Sequence, residues 1–310
     1  MAFIAPAFDE AEKRAWCETL LDSIPGLRLV GEGASVKESD VEGAIVYYPP
    51  PGQLSRFPRL RLVISLSVGV ETILSDPELP DIPVVRLMSA ELQALMKEYV
   101  VYQVLRVSRG FDSLEESRRE HRWVWSLPSK PASEWRVLVL GLGQLGRPAA
   151  EALRDLGFHV SGWSRRTHSI PGIHCGSGRA GLDSLLPVSD ILVCLLPLTV
   201  ETKGLLNAEV FSRLPKGASL INVGRSHCLH EWDLLRALEE GILSRATLDV
   251  FDAEPLPQNH VFWSHPRINI TPHAAAHPRP VACTSHIVEC IECCKRGVTP
   301  PGVVNRLLGY

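Results

Sequence analysis

The stretch Arg136-Val137-Leu138-Val139-Leu140-Gly141-Leu142-Gly143-Gln144-Leu145-Gly146 decides the fold. Val137 to Leu140 show no polar alternation and read as a strand buried on both faces. The glycines then let the backbone turn tightly, and helical spacing follows from about Gln144 to Leu156, with Gly157 as a suitable C-cap. A strand, a GxGxxG turn and a helix N-terminus with unpaired N–H groups together make a cradle for a pyrophosphate. Gly141, Leu142, Gly143, Gln144, Leu145 and Gly146 are therefore candidate contacts to a dinucleotide. The glycine pattern alone also describes a plain tight turn; the flanking strand and helix favour the nucleotide.

Working outward, His159 to Gly162, Ile191 to Leu195, Ser219 to Val223 and Ala246 to Val250 read as further strands of the same sheet. Before it, Leu27 to Val30, Ala44 to Tyr48, Leu60 to Leu66 and Val84 to Val85 alternate with amphipathic stretches, the pattern of a second parallel sheet. Pro49-Pro50-Pro51-Gly52 cannot start a helix, so Tyr47 and Tyr48 fall at a strand's carboxyl edge, where ligands sit in such sheets. One long helix runs from an N-cap at Ser89 to about Arg109, and the segment Pro280 to Lys295 is helical in pattern. Between Phe111 and Lys130 lies a charged arm carrying Trp123 and Trp125, which suits a subunit interface as well as packing on the chain's own domains.

At 310 residues, 45% hydrophobic and 22% charged, the chain is long enough for two domains with a sizeable core. A net charge of −3 from 32 basic and 35 acidic residues argues against a polyanion-binding surface, so nucleic acid is not an expected partner. Met1-Ala2-Phe3-Ile4-Ala5-Pro6 turns acidic at Asp9 and Glu10, unlike a secretory signal, and no apolar run reaches the roughly 20 residues that span a bilayer. A cytoplasmic protein without membrane contact is expected, its eight cysteines reduced. Cys283, His286, Cys290 and Cys293, with Cys294 alongside, recur along one helical face. One face cannot surround a tetrahedral ion, so they read as packing rather than a metal site.

Two further patterns carry chemistry. Where an NAD-specific site places an acid against the ribose, this chain reads Gly162-Trp163-Ser164-Arg165-Arg166-Thr167, and two guanidinium groups with two hydroxyls suit a 2′-phosphate. NADPH is therefore the expected cofactor, with NADH possible. Reduction of a 2-keto acid needs a cation on the carboxylate and carbonyl and an acid for the new alkoxide. Arg225 suits the first role, His273 the second, and Glu254 would orient and charge the imidazole. By residue type His227, His230, His265, His277 and Glu231 compete, and spacing does not choose among them.

Gly141 to Gly146, Leu195-Leu196-Pro197-Leu198-Thr199 with Glu201-Thr202-Lys203-Gly204, Asn222-Val223-Gly224-Arg225, Leu248-Asp249-Val250-Phe251 with Glu254-Pro255, and Thr271-Pro272-His273 occur in that order over most of the chain. This series resembles the D-isomer-specific 2-hydroxyacid dehydrogenases. Arg86-Leu87-Met88, Met96-Lys97-Glu98-Tyr99-Val100, Gly162 to Arg165 and Pro171-Gly172-Ile173 resemble its glyoxylate/hydroxypyruvate reductase A branch. The resemblance implies an α/β fold of two domains, a Rossmann-like doubly wound parallel sheet plus a flavodoxin-like substrate domain. Residues 1–98 and 278–310 would form the discontinuous substrate domain and 99–277 the dinucleotide-binding domain, in a homodimer. It implies Arg225, Glu254 and His273 as the catalytic trio. Cofactor contacts would add Trp163, Ser164, Arg165, Arg166, Leu196, Pro197, Thr202, Val223, Gly224, Asp249 and Ala275 to the glycine turn. Backbone amides at Val68 and Gly69 would hold the substrate carboxylate, with Tyr47 beside it and Arg225 and His273 on the carbonyl.

The implied activity is NADPH-dependent reduction of small 2-oxo acids, glyoxylate to glycolate and hydroxypyruvate to D-glycerate. Ser226, where Gly is common, and Glu71, where Asp is common, depart from the family pattern without removing a catalytic group. Two alternatives stand beside this reading: a D-2-hydroxyacid dehydrogenase for a bulkier keto acid, and a non-catalytic NAD(P)H-sensing binding protein with partner-binding tails or grooves. Formate oxidation fits less well, because position 254 is Glu where that branch resembles a Gln and His pairing.

Overall fold

Ala44-Ile45-Val46 and Leu62-Val63-Ile64 are apolar without a break, as strands are when helices cover both faces of a parallel sheet. A computed structural model describes residues 1–30, 37–125 and 130–309. The chain divides into two units, Met1–Glu91 with Pro278–Tyr310, and Leu92–His277. In the first, β1 (Ala2–Ile4), β2 (Gly43–Val46), β3 (Leu62–Ser65) and β4 (Val84–Val85) pair in parallel in that order. Val30 adds a parallel bridge to Ala2 on the other side of β1, giving the strand order of a flavodoxin-like sheet. The expected strand Leu27 to Val30 thus shrinks to one bridge, and β1 replaces it as a full member.

The first helix, Glu10–Ser23, is closed by a capping box: Glu12 N–H donates to Asp9 Oδ1 at 2.8 Å and Asp9 N–H to Glu12 Oε2 at 3.3 Å. The last helix, Pro280–Lys295, returns to this unit and buries Cys283, His286, Cys290 and Cys293. His286 donates Nε2–H to the Arg86 carbonyl at 3.1 Å. The recurrence of these side chains along the sequence is that of a packing face.

In the second unit β5 (Arg136–Leu140), β6 (His159–Ser164), β7 (His174–Ser177), β8 (Ile191–Cys194), β9 (Ala218–Asn222), β10 (Leu243–Leu248) and β11 (Ile268–Ile270) form one sheet. Its order is β11-β10-β9-β8-β5-β6-β7 and every pairing is parallel. The chain moves from β5 outward to β7 and then crosses back to β8, so the order reverses between β5 and β8. That switch point, at the strands' carboxyl ends, is where such sheets bind ligands. Two members escaped the sequence reading: β7 is His-Cys-Gly-Ser, with no apolar signal, and β11 has three residues.

The long helix is Ala90–Ser108, and Ser89 Oγ accepts the Glu91 N–H at 3.1 Å, as an N-cap does. The division between units falls at Glu91 and Leu92, a few residues before the expected 98/99, and Met96 between the two is already buried in the second unit's core. The charged arm opens with a helix, Phe111–Arg119, docked through Asp112. That buried carboxylate accepts Arg106 Nε–H at 2.7 Å and lies 3.8 Å from Arg245 Nε, so its charge is compensated. Trp123 and Trp125 are 80% and 90% exposed and meet edge to face at 5.8 Å; residues 126–129 of the arm lie outside the described residues. No helix among the described residues is long and apolar enough to cross a membrane.

Candidate active site

Three neighbouring parallel strands, β9, β10 and β11, end at Asn222, Leu248 and Ile270 and release the loops that carry Arg225, Glu254 and His273. Adjacency in the sheet therefore joins residues that are far apart in sequence. His273 Nδ1 and Glu254 Oε2 are 2.8 Å apart, and Glu254 Oε1 accepts the Phe251 N–H at 2.9 Å. Both carboxylate oxygens are thus fixed. Burial raises the Glu254 carboxyl, but hydrogen bonds from His273 and Phe251 and the charges of His273 and Arg225 outweigh it, and the net shift is downward. The Arg225 guanidinium acts on the same carboxylate and donates Nη1–H to the Gly224 carbonyl at 2.7 Å.

The lowered Glu254 value has a stability consequence with a definite sign. A carboxyl whose folded value lies below its unfolded one, near 4.3, stabilises the fold above that pH and loses the contribution as pH falls through the folded value. Glu254→Gln removes the ionisable group. The expected outcome is a melting temperature a few degrees below wild type at neutral pH, with the gap closing as the pH drops below about 4. A gap of constant size from neutral to acid pH, in parallel thermal melts, would show that the charge is not what stabilises.

The rival histidines have other company. His227 Nδ1 lies 3.3 Å from Asp252 Oδ1, His230 pairs with Asp233 at 3.5 Å, and Glu231 faces His260 at 3.5 Å. His265 accepts the Arg267 N–H, and burial with the Arg267 charge lowers its pKa. The His227–Asp252 pair ties the Arg225 loop to the Glu254 loop, a contact the sequence reading missed. Ser226 starts the short turn Ser226–Cys228 directly after Arg225.

At the nucleotide turn, a Cβ on Gly146 would sit 1.7 Å from the Gly141 carbonyl oxygen, so no larger residue fits where the helix starts. A Cβ on Gly143 would meet nothing of the chain within 4 Å. Packing within the protein therefore does not demand glycine at 143, whereas close approach of a pyrophosphate does. The turn fits a dinucleotide. Leu142 is buried in the core, while Gly143 and Gln144 are exposed and Leu145 is half-buried.

Beyond β6, Arg165 and Arg166 are exposed, and Arg165 lowers the Glu201 carboxyl together with a hydrogen bond from Thr199, the larger cause. Trp163 donates Nε1–H to the Gly178 carbonyl at 2.8 Å, and Ser164 its hydroxyl to the Arg166 carbonyl at 2.6 Å. Those two side chains hold the loop that presents the arginines. After β8, Thr202 donates to the Pro197 carbonyl at 2.6 Å and so folds the segment beyond Leu196 onto itself. Gly224 lies so close to that segment that a Cβ would meet the Leu196 oxygen at 2.7 Å; Val223 beside it is buried. Asp249 is only 1% exposed, and its carboxylate faces Thr271 and the amides of Ala274 and Ala275.

Tyr47, Val68 and Gly69 belong to the first unit. Tyr47 stacks on Phe8 with ring centres 4.3 Å apart and meets Tyr48 edge to face at 4.7 Å. Beyond β3 the chain turns through Ser67, whose hydroxyl accepts the Gly69 N–H at 3.2 Å. Tyr48, Ser65, Ser67 and Gly69 line a small hollow there, floored by the helix Glu71–Leu74.

This arrangement has relatives. Residues 101–275 match the family described as D-isomer specific 2-hydroxyacid dehydrogenase, NAD binding domain. A glyoxylate/hydroxypyruvate reductase A of Serratia proteamaculans is 41% identical over 86% of this chain and 87% of its own. That of Salmonella paratyphi B is 37% identical over 99% of both chains. Among solved structures, a D-isomer specific 2-hydroxyacid dehydrogenase from Xanthobacter autotrophicus in complex with NADPH and MES superposes with a TM-score of 0.94 at 38% identity, covering 100% of this chain and 99% of that one. An NADPH-dependent glyoxylate/hydroxypyruvate reductase from Sinorhizobium meliloti in complex with NADP and sulfate gives 0.93 at 34% identity, with coverage of 100% and 99%. The chain belongs to the D-isomer specific 2-hydroxyacid dehydrogenase family and lies with its glyoxylate/hydroxypyruvate reductase A branch.

Proposed function

We propose that the protein is an NADPH-dependent reductase converting glyoxylate to glycolate and hydroxypyruvate to D-glycerate. The observation that carries this reading is the 2.8 Å contact of His273 with a Glu254 carboxylate that also feels Arg225. A bound nicotinamide supplies the hydride. With Nδ1 against Glu254, His273 has Nε2 as the ring atom to face the substrate oxygen, and it gives its proton there as negative charge builds. Arg225 holds the substrate by its planar fork and polarises the carbonyl. The amides of Val68 and Gly69 are assigned to the substrate carboxylate and Tyr47 to the pocket wall. Preference for NADPH is supported by Arg165 and Arg166 and by the NADPH and NADP bound in the two solved relatives.

Purified protein mixed with NADPH and glyoxylate, hydroxypyruvate, pyruvate or phenylpyruvate tests the assignment through loss of NADPH absorbance. Turnover should be fastest with the first two. Highest activity on phenylpyruvate would reassign the chain to a bulkier keto acid. Tight NADPH binding without turnover of any of the four would favour a nucleotide sensor.

A further inference from the structure

Tyr99 and Gln103 lie one turn apart on the helix Ala90–Ser108, within the second unit, and the proposed chemistry leaves them without a task. The Tyr99 hydroxyl is 2.6 Å from Thr271 Oγ1, which is in turn 2.5 Å from Asp249 Oδ1. An ionised carboxylate only accepts, so the single hydroxyl hydrogen of Thr271 goes to Asp249 and Tyr99 must donate to Thr271. With the phenolic hydrogen spent, it is the Gln103 amide that donates to the Tyr99 oxygen. Gln103 Oε1 is buried with no partner, so it is the amide nitrogen that this side chain offers to Tyr99. Every hydrogen in the series therefore points one way, from the helix toward Asp249.

Asp249 is the hub of the turn that carries His273. Its Oδ1 accepts the Ala274 N–H at 2.8 Å, its Oδ2 the Ala275 N–H at 3.0 Å, and its backbone oxygen the His273 N–H at 2.9 Å. His273 itself has φ 53°, a left-handed conformation that a residue with a side chain seldom adopts without being held there. We propose that Tyr99, anchored by Gln103, is a positioning residue for His273: acting through Thr271 and Asp249, it locks the 271–275 turn in the left-handed form that aims the imidazole at Glu254. The proposal rests on His273 being the proton donor assigned above.

Burial, with the Asp249 charge adding to it, pushes the Tyr99 hydroxyl up to about 12, so it remains a donor. Burial also raises the Asp249 carboxyl, against the hydrogen bonds of Thr271, Ala275 and Ala274 and the charge of His273. Arg106 is the other charged group acting on Tyr99. Thr271 is the donor to that carboxylate, so losing its hydroxyl raises the Asp249 carboxyl further, whereas losing the Tyr99 hydroxyl leaves Thr271 without the partner that orients it.

Tyr99→Phe keeps the ring and removes the donor. The expected result is a kcat about tenfold lower, with the NADPH dissociation constant raised by a clearly smaller factor because Asp249 and Ala275 of the same turn are candidate cofactor contacts. Thr271→Val should lose at least as much and, having lost the donor to Asp249, should also displace the acid limb of kcat to higher pH; the double variant should lose no more than Thr271→Val, since both break the same series. Faster amide exchange at Ala274 and Ala275 in Tyr99→Phe, read without any substrate, is the matching structural signature. A Tyr99→Phe enzyme with wild-type kcat, a Thr271→Val enzyme with a wild-type pH profile, or losses that multiply in the double variant, would overturn the proposal. Should the wild type reduce no 2-oxo acid at all, the functional reading fails on its own, and unchanged exchange at residues 274 and 275 still decides against the positioning role.

Discussion

Replacing His273 by Gln or by Asn lowers kcat by about 10²- to 10⁴-fold, the range a positioned general acid contributes, and leaves NADPH affinity within about twofold. An amide keeps a polar group near Glu254 but carries no proton that it can give to an alkoxide. The fold of the turn survives, because its anchors are the main-chain N–H groups of His273, Ala274 and Ala275 on Asp249 and not the imidazole. Two variants are needed because the backbone here is left-handed, at φ 53°. Asn tolerates that region better than Gln does. Loss in both separates missing proton transfer from backbone strain; loss confined to Gln assigns the defect to the turn. Steady-state kinetics with glyoxylate, beside an NADPH titration of each variant, give both numbers, and an Asn variant within tenfold of wild type removes His273 from the chemistry.

What made this site legible was the coincidence of motif and topology. Val137 to Leu140 followed by the glycine turn could be read from local sequence alone, because buried parallel strands are uniformly apolar and only glycine admits the approach of a helix start to its own turn. Arg225, Glu254 and His273 were selected by resemblance. The geometry adds that β9, β10 and β11 are neighbours, so their loops emerge side by side, while His230 and His265 have local partners. The strands that went unread, β1, β7 and β11, are held by pairing with longer neighbours and not by any periodicity of their own.

Long-range polar pairs were the least legible. Nothing near Asp249 in sequence announces that its carboxylate meets residues 271, 274 and 275; the register Leu248 to Ile270 across two parallel strands creates that meeting. Tyr99 entered the sequence reading only within the Met96 to Val100 motif, since spacing records which face a side chain occupies and not where its hydroxyl ends. His227 and Asp252 behave alike: each is an unremarkable loop residue, and only the folded arrangement of the β9 and β10 loops makes them a pair.

Cofactor choice is the property most open to change by two substitutions. Arg165 and Arg166 follow the carboxyl end of β6, next to β5 whose own end carries the glycine turn, so a nucleotide on that turn brings its ribose toward them. Trp163 and Ser164 bond to the chain's own carbonyls and Thr167 to Ser177, and the two exposed guanidinium groups are the side chains of this run that carry charge suited to a phosphate. Hydrogen bonds to a charged group are worth about 1.5–3 kcal/mol each, and surface exposure argues for the lower end. Arg165→Ala with Arg166→Ala should therefore cut kcat/KM for NADPH by about 10²-fold or more while changing that for NADH by less than about threefold. Neighbouring Glu201 sharpens the contrast, because it already feels Arg165 and without that charge would repel a 2′-phosphate. Rising salt should erode the wild-type preference as well, since exposed ion pairs are screened. Equal losses with both cofactors would move the arginines from phosphate recognition to support of the loop, and the NADPH preference would then have to come from elsewhere in the second unit.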